Sequence, residues 1–405
     1  MLQEFSDEAE RQCLCGGLLD IIQTLQTVEE LLCASITSDK RDPKLFFASS
    51  ENFWSWASKD VKKKTSGEED TLLPEPKLHP VILIPGDGGS RIQAKLDDPS
   101  KDPFLCTKKT TDFYDLWVNI EQLSFGVECW KQNMALTYDP NTRTTSDIQG
   151  VTTRIPGAPP AGTTVDVEWL DSDKLSFTAY YALTVQKLVA IGYETGVNLH
   201  GAPYDFRRAA NEQEKYFTEL RNLIEYTYDT VSYLAWITNQ IKLCLNFQNG
   251  NTPVVMIAHS MGCSMSLYFL TQQTQAWKDK YVKSLVALAG PWGGAVKSLE
   301  VFAVGTDMNE WIFKDIPIAG DLVKEVTRFV ERTQPSLAWL MPSSDIWSDD
   351  ILVKTESNSE DYTASNLGEY FKLLDVPNMA MMYDDTQPLL AGLPDPGVEV
   401  RHGHR

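Results

Sequence analysis

The chain has 405 residues, 42% of them hydrophobic, with 36 basic against 56 acidic side chains and a formal net charge of −20. That length and apolar share support a sizeable core, in one large α/β domain with insertions or in two domains. The acidic balance excludes a nucleic-acid binder working by counterion release and disfavours electrostatic docking to anionic membrane, so lipid contact would be hydrophobic.

No apolar run is long enough to span a bilayer. The first residues, MLQEFSDEAERQ, are acidic where a secretory signal is basic, and no export signal is expected from them. The seven cysteines, Cys13, Cys15, Cys33, Cys106, Cys129, Cys244 and Cys263, are odd in number and lack zinc-type spacing. By composition they form neither a disulfide framework nor a metal site, and five histidines disfavour a His-rich centre. No cofactor is expected.

In chain order, Met1 to Thr37 carries a helical apolar period through Leu18, Ile22, Leu25, Val28 and Leu32, and reads as a packing or docking helix. A membrane-anchoring helix is disfavoured because its polar face is acidic. Ser38 to Glu75 alternates aromatic patches with charge runs, so residues 1–75 read as an N-terminal extension of helix plus linker. The main domain is expected over 76–400, with 401–405 as a tail.

HPVILIPGDGGSRIQAKLD places a fully buried strand, Val81 to Ile84, directly before a Pro-Gly-Asp-Gly-Gly turn. Glycines there let backbone N–H groups approach a ligand, which makes this turn a source of oxyanion donors; it lacks the Lys-Ser/Thr of a phosphate loop. A tight structural turn is the plainer alternative. Asp97 to Trp169 shows no clear helix or strand period. Cys106 and Cys129 bracket the aromatic and acidic cluster Asp112 to Trp117, where a lid near 97–135 or an ordinary surface excursion would sit. A helix is expected from Tyr180 to Ile191, a strand near Val197 to His200, then GAPYDFRRA. There Arg207 and Arg208 beside Asp205 fix the turn by charge-assisted bonds.

A helical stretch, Glu212 to Leu245, leads into PVVMIAHSMGCSMSLYFL, Pro253 to Leu270. An apolar strand, a Ser flanked two residues away by Ala258 and Gly262, and an amphipathic segment read as strand, sharp turn and helix, the form of a nucleophile elbow. Ser260 would be raised at the top of a sheet, with the Met261 amide pointing to where an oxyanion forms. His259 is expected to pack beneath the elbow. A helix to about Trp277 and a strand, Val282 to Ala289, ending in GPWGG complete the pattern. Helices alternating with buried apolar strands mean a mostly parallel sheet, with functional turns at its carboxyl end.

HPVILIPGDGGSRIQAKLD, GAPYDFRRA, AHSMG and GPWGG, in that order and spacing over roughly His79 to Val400, resemble the lecithin:cholesterol acyltransferase family, its lysosomal phospholipase branch in particular. The resemblance implies an α/β-hydrolase core with helices on both faces, plus cap and lid insertions. It implies acyl transfer from a glycerophospholipid to water, a sterol or another lipophilic alcohol through a serine acyl-enzyme, at a membrane or lipid-particle surface and in lysosomal or secreted compartments. On the matching positions Ser260 is the nucleophile, the amides of Asp87 and Met261 form the oxyanion hole, Cys106 and Cys129 form a lid disulfide, and Trp117 and Trp130 contact lipid.

The family's catalytic acid and base match nothing here. His402 and His404 lie in RHGHR, read as frayed surface, and Asp349, Asp350, Asp361 and Asp375 lack the expected setting. The chain is thus expected to be cut short at its C-terminal end, entering a further core strand. Either it is an acyltransferase or phospholipase represented by an incomplete sequence, or it is a catalytically impaired relative that retains lipid or partner binding. A non-hydrolase binding module would require the three glycine-bearing turns to lie on different edges of the fold.

Overall fold

A computed structural model describes residues 78–98, 106–242, 251–306, 320–355 and 361–403; the expected N-terminal helix and linker, and His404, lie outside them. The strands are β1 (Val81–Ile84), β2 (Ile92–Leu96), β3 (Tyr114–Trp117), β4 (Leu136–Asp139), β5 (Thr144–Asp147), β6 (Val151–Arg154), β7 (Leu199–Gly201), β8 (Val254–His259), β9 (Val282–Leu288), β10 (Val353–Lys354), β11 (Asp361–Tyr362) and β12 (Glu399–Gly403).

Five of them form one parallel sheet in the order β12-β9-β8-β1-β7. The central strands are apolar on both faces: every residue of VILI in β1 is buried, as are Val254, Met256, Ile257 and Ala258 of β8. That is the composition of strands covered on two sides, because right-handed crossover helices shield both faces of a parallel sheet. Register then brings the carboxyl ends level. Ile84 lies beside Ala258, Ala258 beside Ala287 and His259 beside Leu288. PGDGG, AHSMG and GPWGG therefore emerge side by side from one end of the sheet, the opposite of what a non-hydrolase binding module required.

Three expectations are corrected. The helix after the elbow is two helices, Met261–Thr271 and Gln275–Tyr281, because Thr274 is extended and its hydroxyl caps the Trp277 amide at 3.3 Å. Among its described residues the stretch from Asp97 to Trp169 carries β3 to β6 and three short helices, Ile120–Phe125, Val127–Met134 and Val165–Glu168. Its strands are four residues long, too short to show a period, and pair antiparallel, β3-β2-β6 and β4-β5. Residues 401–403, expected as a tail, finish β12, which runs parallel to β9 with His402 opposite Ala287. Ladder hydrogen bonds to a central strand hold what composition alone reads as frayed.

A second hydrophobic core, separate from that of the sheet, joins the helices Val296–Val304, Pro335–Trp339, Leu367–Leu373 and Pro377–Thr386 through Phe302, Phe371, Leu337, Met379 and Tyr383. Arg207 ties the loop after β7 to the helix Val127–Met134 and to β5 and β6. Fully buried, its guanidinium donates to Asp205 (2.9 and 2.8 Å), Asp147 (3.0 Å), the Thr153 hydroxyl (2.8 Å) and the Met134 carbonyl (3.2 Å). Burial works against an ionised Asp205, but Arg207 and Arg208 outweigh it and hold the carboxyl below the usual carboxylate range. Asp205 is thereby consumed by the scaffold.

Candidate active site

Ser260 stands between β8 and the helix Met261–Thr271 at φ 52°, ψ −129°. For a residue with a Cβ this region costs about 1–3 kcal/mol and persists only where the surroundings impose it. The surroundings are visible. The Ser260 amide donates to the Leu288 carbonyl at 2.8 Å, and helix and β1 are pressed so close that a Cβ at Gly262 would lie 2.4 Å from the Pro85 carbonyl oxygen. The demand for small residues around the serine thus comes from β1, the neighbouring strand.

The turn after β1 closes against the same point. A Cβ at Gly86 would meet the Ser260 Cβ at 2.7 Å and the His259 carbonyl oxygen at 2.8 Å. Asp87 follows, and Asp87, Gly88, His259 and Ser260 line one cavity of about 260 Å³. Met261 opens its helix, so its amide belongs to the first turn, whose N–H groups have no intrahelical acceptor. Among the described residues no histidine or carboxylate hydrogen-bonds the Ser260 hydroxyl. Asp349, Asp350, Asp361 and Asp375 are all exposed, and the exposed His402 packs edge-on against Trp292 with ring centroids 6.0 Å apart.

Tyr180, which no local pattern marks, locks the two turns together. Its phenol oxygen accepts from the Gly86 amide at 2.9 Å and lies 2.5 Å from His259 Nδ1, while the rings of Tyr180 and His259 meet edge to face. With the Gly86 N–H donating to the oxygen, the phenol proton is placed to go to Nδ1. His259 is therefore half-buried at the cavity edge and engaged by Tyr180, where packing beneath the elbow had been expected. Tyr180→Phe leaves the Gly86 amide without its acceptor and is expected to cost about 1–3 kcal/mol, read from urea unfolding.

Trp117 and Trp130, expected to contact lipid, lie inside the protein and not on its outer surface. They are only 9% and 2% exposed, their indole N–H groups donate to the Gly88 and Leu116 carbonyls at 2.8 and 3.0 Å, and both line the cavity. Tryptophan in a polar, aromatic-rich insertion reads as surface in sequence, whereas here its N–H finds backbone acceptors inside. Cys106 and Cys129 are joined by a disulfide with Cα atoms 5.5 Å apart, which ties the segment before β3 to the helix carrying Trp130. Cys263 is a buried free thiol pushed up to about 12 by burial.

Asp87 is electrostatically unusual. Burial raises its carboxyl from 3.8 to about 7, only partly offset by the Gly88 amide, and Oδ1 has no partner among the described residues. A raised folded-state value means the folded protein holds a proton that the unfolded chain releases. The contribution is thus full below the unfolded value and lost as pH rises through about 7. The urea midpoint of the wild type relative to Asp87→Asn is accordingly expected to fall between pH 5 and pH 8; a constant difference would contradict a buried neutral carboxyl.

A family model described as lecithin:cholesterol acyltransferase matches residues 113–390. Rat and human proteins named lysosomal phospholipase A and acyltransferase are each 38% identical over 333 residues, covering 82% of this chain and 73% of the relative. A rat phosphatidylcholine-sterol acyltransferase is 34% identical over 322 residues, covering 79% of this chain and 66% of the relative. With most of its length matched at that identity, and with a mostly parallel sheet carrying the elbow at its carboxyl end, the chain belongs to the lecithin:cholesterol acyltransferase family.

Proposed function

We propose that this protein catalyses serine-dependent acyl transfer from a glycerophospholipid to water or to a lipophilic alcohol or sterol. One observation carries the reading: a serine held at φ 52° against the Gly86 turn, at the mouth of a helix, in a cavity whose walls include Trp117, Trp130, Val301 and Leu340. The Ser260 oxygen attacks the ester carbonyl, and the charge that develops on the carbonyl oxygen is met by the amides of Asp87 and Met261. Collapse expels the lysolipid alkoxide, which takes up the proton given up by the Ser260 hydroxyl, and leaves the acyl-enzyme. Attack by the acceptor's oxygen then releases the serine oxygen, which regains a proton as the acceptor loses its own. Preorganised amides suit this chemistry because they need no reorientation when charge appears. The rat and human relatives are named for phospholipase and acyltransferase activities, which supports the substrate class.

Contact with the lipid surface is peripheral in this scheme; among the described residues no helix is long and apolar enough to cross a membrane. A second reading, a relative with impaired catalysis that still binds lipid or a partner, is favoured by the Ser260 hydroxyl's having no base bonded to it among the described residues. Treatment of the full chain with a fluorophosphonate, followed by peptide mass spectrometry, separates the two. An adduct on Ser260, with release of fatty acid from phosphatidylcholine vesicles, supports acyl transfer. An unlabelled Ser260 in folded protein leaves the second reading.

A further inference from the structure

The wall of the cavity contains a polar group that the chemistry above does not use. Glu331 ends the helix Gly320–Glu331 and lines the cavity with Ser260. One carboxyl oxygen, Oε1, accepts from the Thr306 hydroxyl at 2.8 Å; the other, Oε2, is buried with no partner among the described residues. Thr306 is itself fixed, since its amide donates to Thr327 Oγ1 at 2.9 Å and the preceding Gly305 turn admits no Cβ, which would lie 1.9 Å from the Lys324 carbonyl oxygen. The carboxyl is thus held in one orientation amid Val301, Val330 and Leu340.

A buried polar atom without a partner costs about 1–3 kcal/mol, and a rigid scaffold keeps such a group where a ligand completes it. Burial, helped by the nearby Asp87, pushes Glu331 up to about 8, so the group carries a proton at neutral pH. Because Oε1 already accepts from Thr306, the proton belongs on Oε2, which makes that oxygen a donor. A ligand carboxylate is a poor match, because the burial that disfavours charge on Glu331 and Asp87 disfavours it on the ligand, and the lysine of the lining, Lys297, is paired with Glu300 at 2.9 Å. A neutral oxygen is a good one.

The geometry points to Glu331 as the anchor for a neutral oxygen, a hydroxyl or an ester carbonyl, on an otherwise apolar ligand sharing the cavity with Ser260. The inference rests on the acyl-transfer reading only in naming the two sources of that oxygen, the acceptor alcohol or the donor ester.

Binding of 1-decanol, methyl decanoate, decane and decanoate to the full chain, wild type at position 331 or varied there and carrying Ser260→Ala throughout so that the ester is not turned over, is followed by thermal shift at pH 6 and pH 9. At pH 6 wild-type protein should bind decanol or methyl decanoate at least about tenfold more tightly than decane, about 1.4 kcal/mol. The preference should vanish in Glu331→Leu, persist in Glu331→Gln, whose amide still donates, and shrink at pH 9. Preference for decanol alone identifies the acceptor, and for the ester alone the donor. No preference in wild type, or a preference unchanged in Glu331→Leu, overturns the assignment. Should the leucine variant not fold, the wild-type ratio at the two pH values decides. Failure of fluorophosphonate labelling would remove the acyl-transfer reading and leave these measurements standing.

Discussion

Ser260→Ala is expected to abolish fluorophosphonate labelling and to lower acyl transfer by about 10⁶-fold, the scale seen when the attacking atom itself is removed. Stability should hardly change, because alanine inherits the same φ of 52° with the same Cβ. Ser260→Gly separates strain from chemistry. It removes the nucleophile equally, but it also releases about 1–3 kcal/mol of backbone strain, offset by up to about 1 kcal/mol of added freedom in the unfolded chain. The glycine variant should therefore unfold at higher urea than the alanine variant. Equal midpoints would mean that the elbow is not strained, and full activity in Ser260→Ala would end the serine mechanism.

Arg207→Met is expected to be the most damaging single change to stability, about 3–5 kcal/mol. Methionine nearly matches the aliphatic stem but leaves Asp205 and Asp147, both largely buried, without the cation they share, which helps to hold the Asp205 carboxyl low. The loss is the cost of stranded charge more than of any one hydrogen bond. At about 2–4 °C per kcal/mol for a domain of this size the melting temperature should drop by about 10 °C. Adding Asp205→Asn to Arg207→Met should recover part of the loss, since the charge left behind is then removed. Additive losses in the double variant would show that the two side chains act independently.

Acid and alkali should act on this protein from opposite directions. Asp205, held low by its arginines, contributes stability present above its unfolded value and lost as pH falls, whereas Asp87 and Glu331, raised by burial to about 7 and about 8, contribute stability lost as pH rises. The cavity carboxyls thus favour a mildly acidic setting, while the scaffold network limits how far acidification can go.

What the amino-acid order determined alone is local and periodic. Four consecutive buried aliphatic residues before PGDGG, the apolar run before His259, and small residues at 258 and 262 each report a strand, a turn or an elbow within a few residues, because backbone sterics act at that range. Family membership was equally legible, since it rests on several such stretches in order. What only the tertiary structure decided depends on groups far apart in the chain. Tyr180 meets Gly86 across 94 positions and His259 across 79; Glu331 lies 25 positions beyond Thr306. The tryptophans turned inward because backbone carbonyls of other segments awaited their N–H groups, and 401–403 became a strand because β9 offered an open ladder edge. Sequence registers which residues can bury apolar surface or bend the chain; which polar partner each one meets is set by packing, where an unmet hydrogen bond costs more than any local propensity.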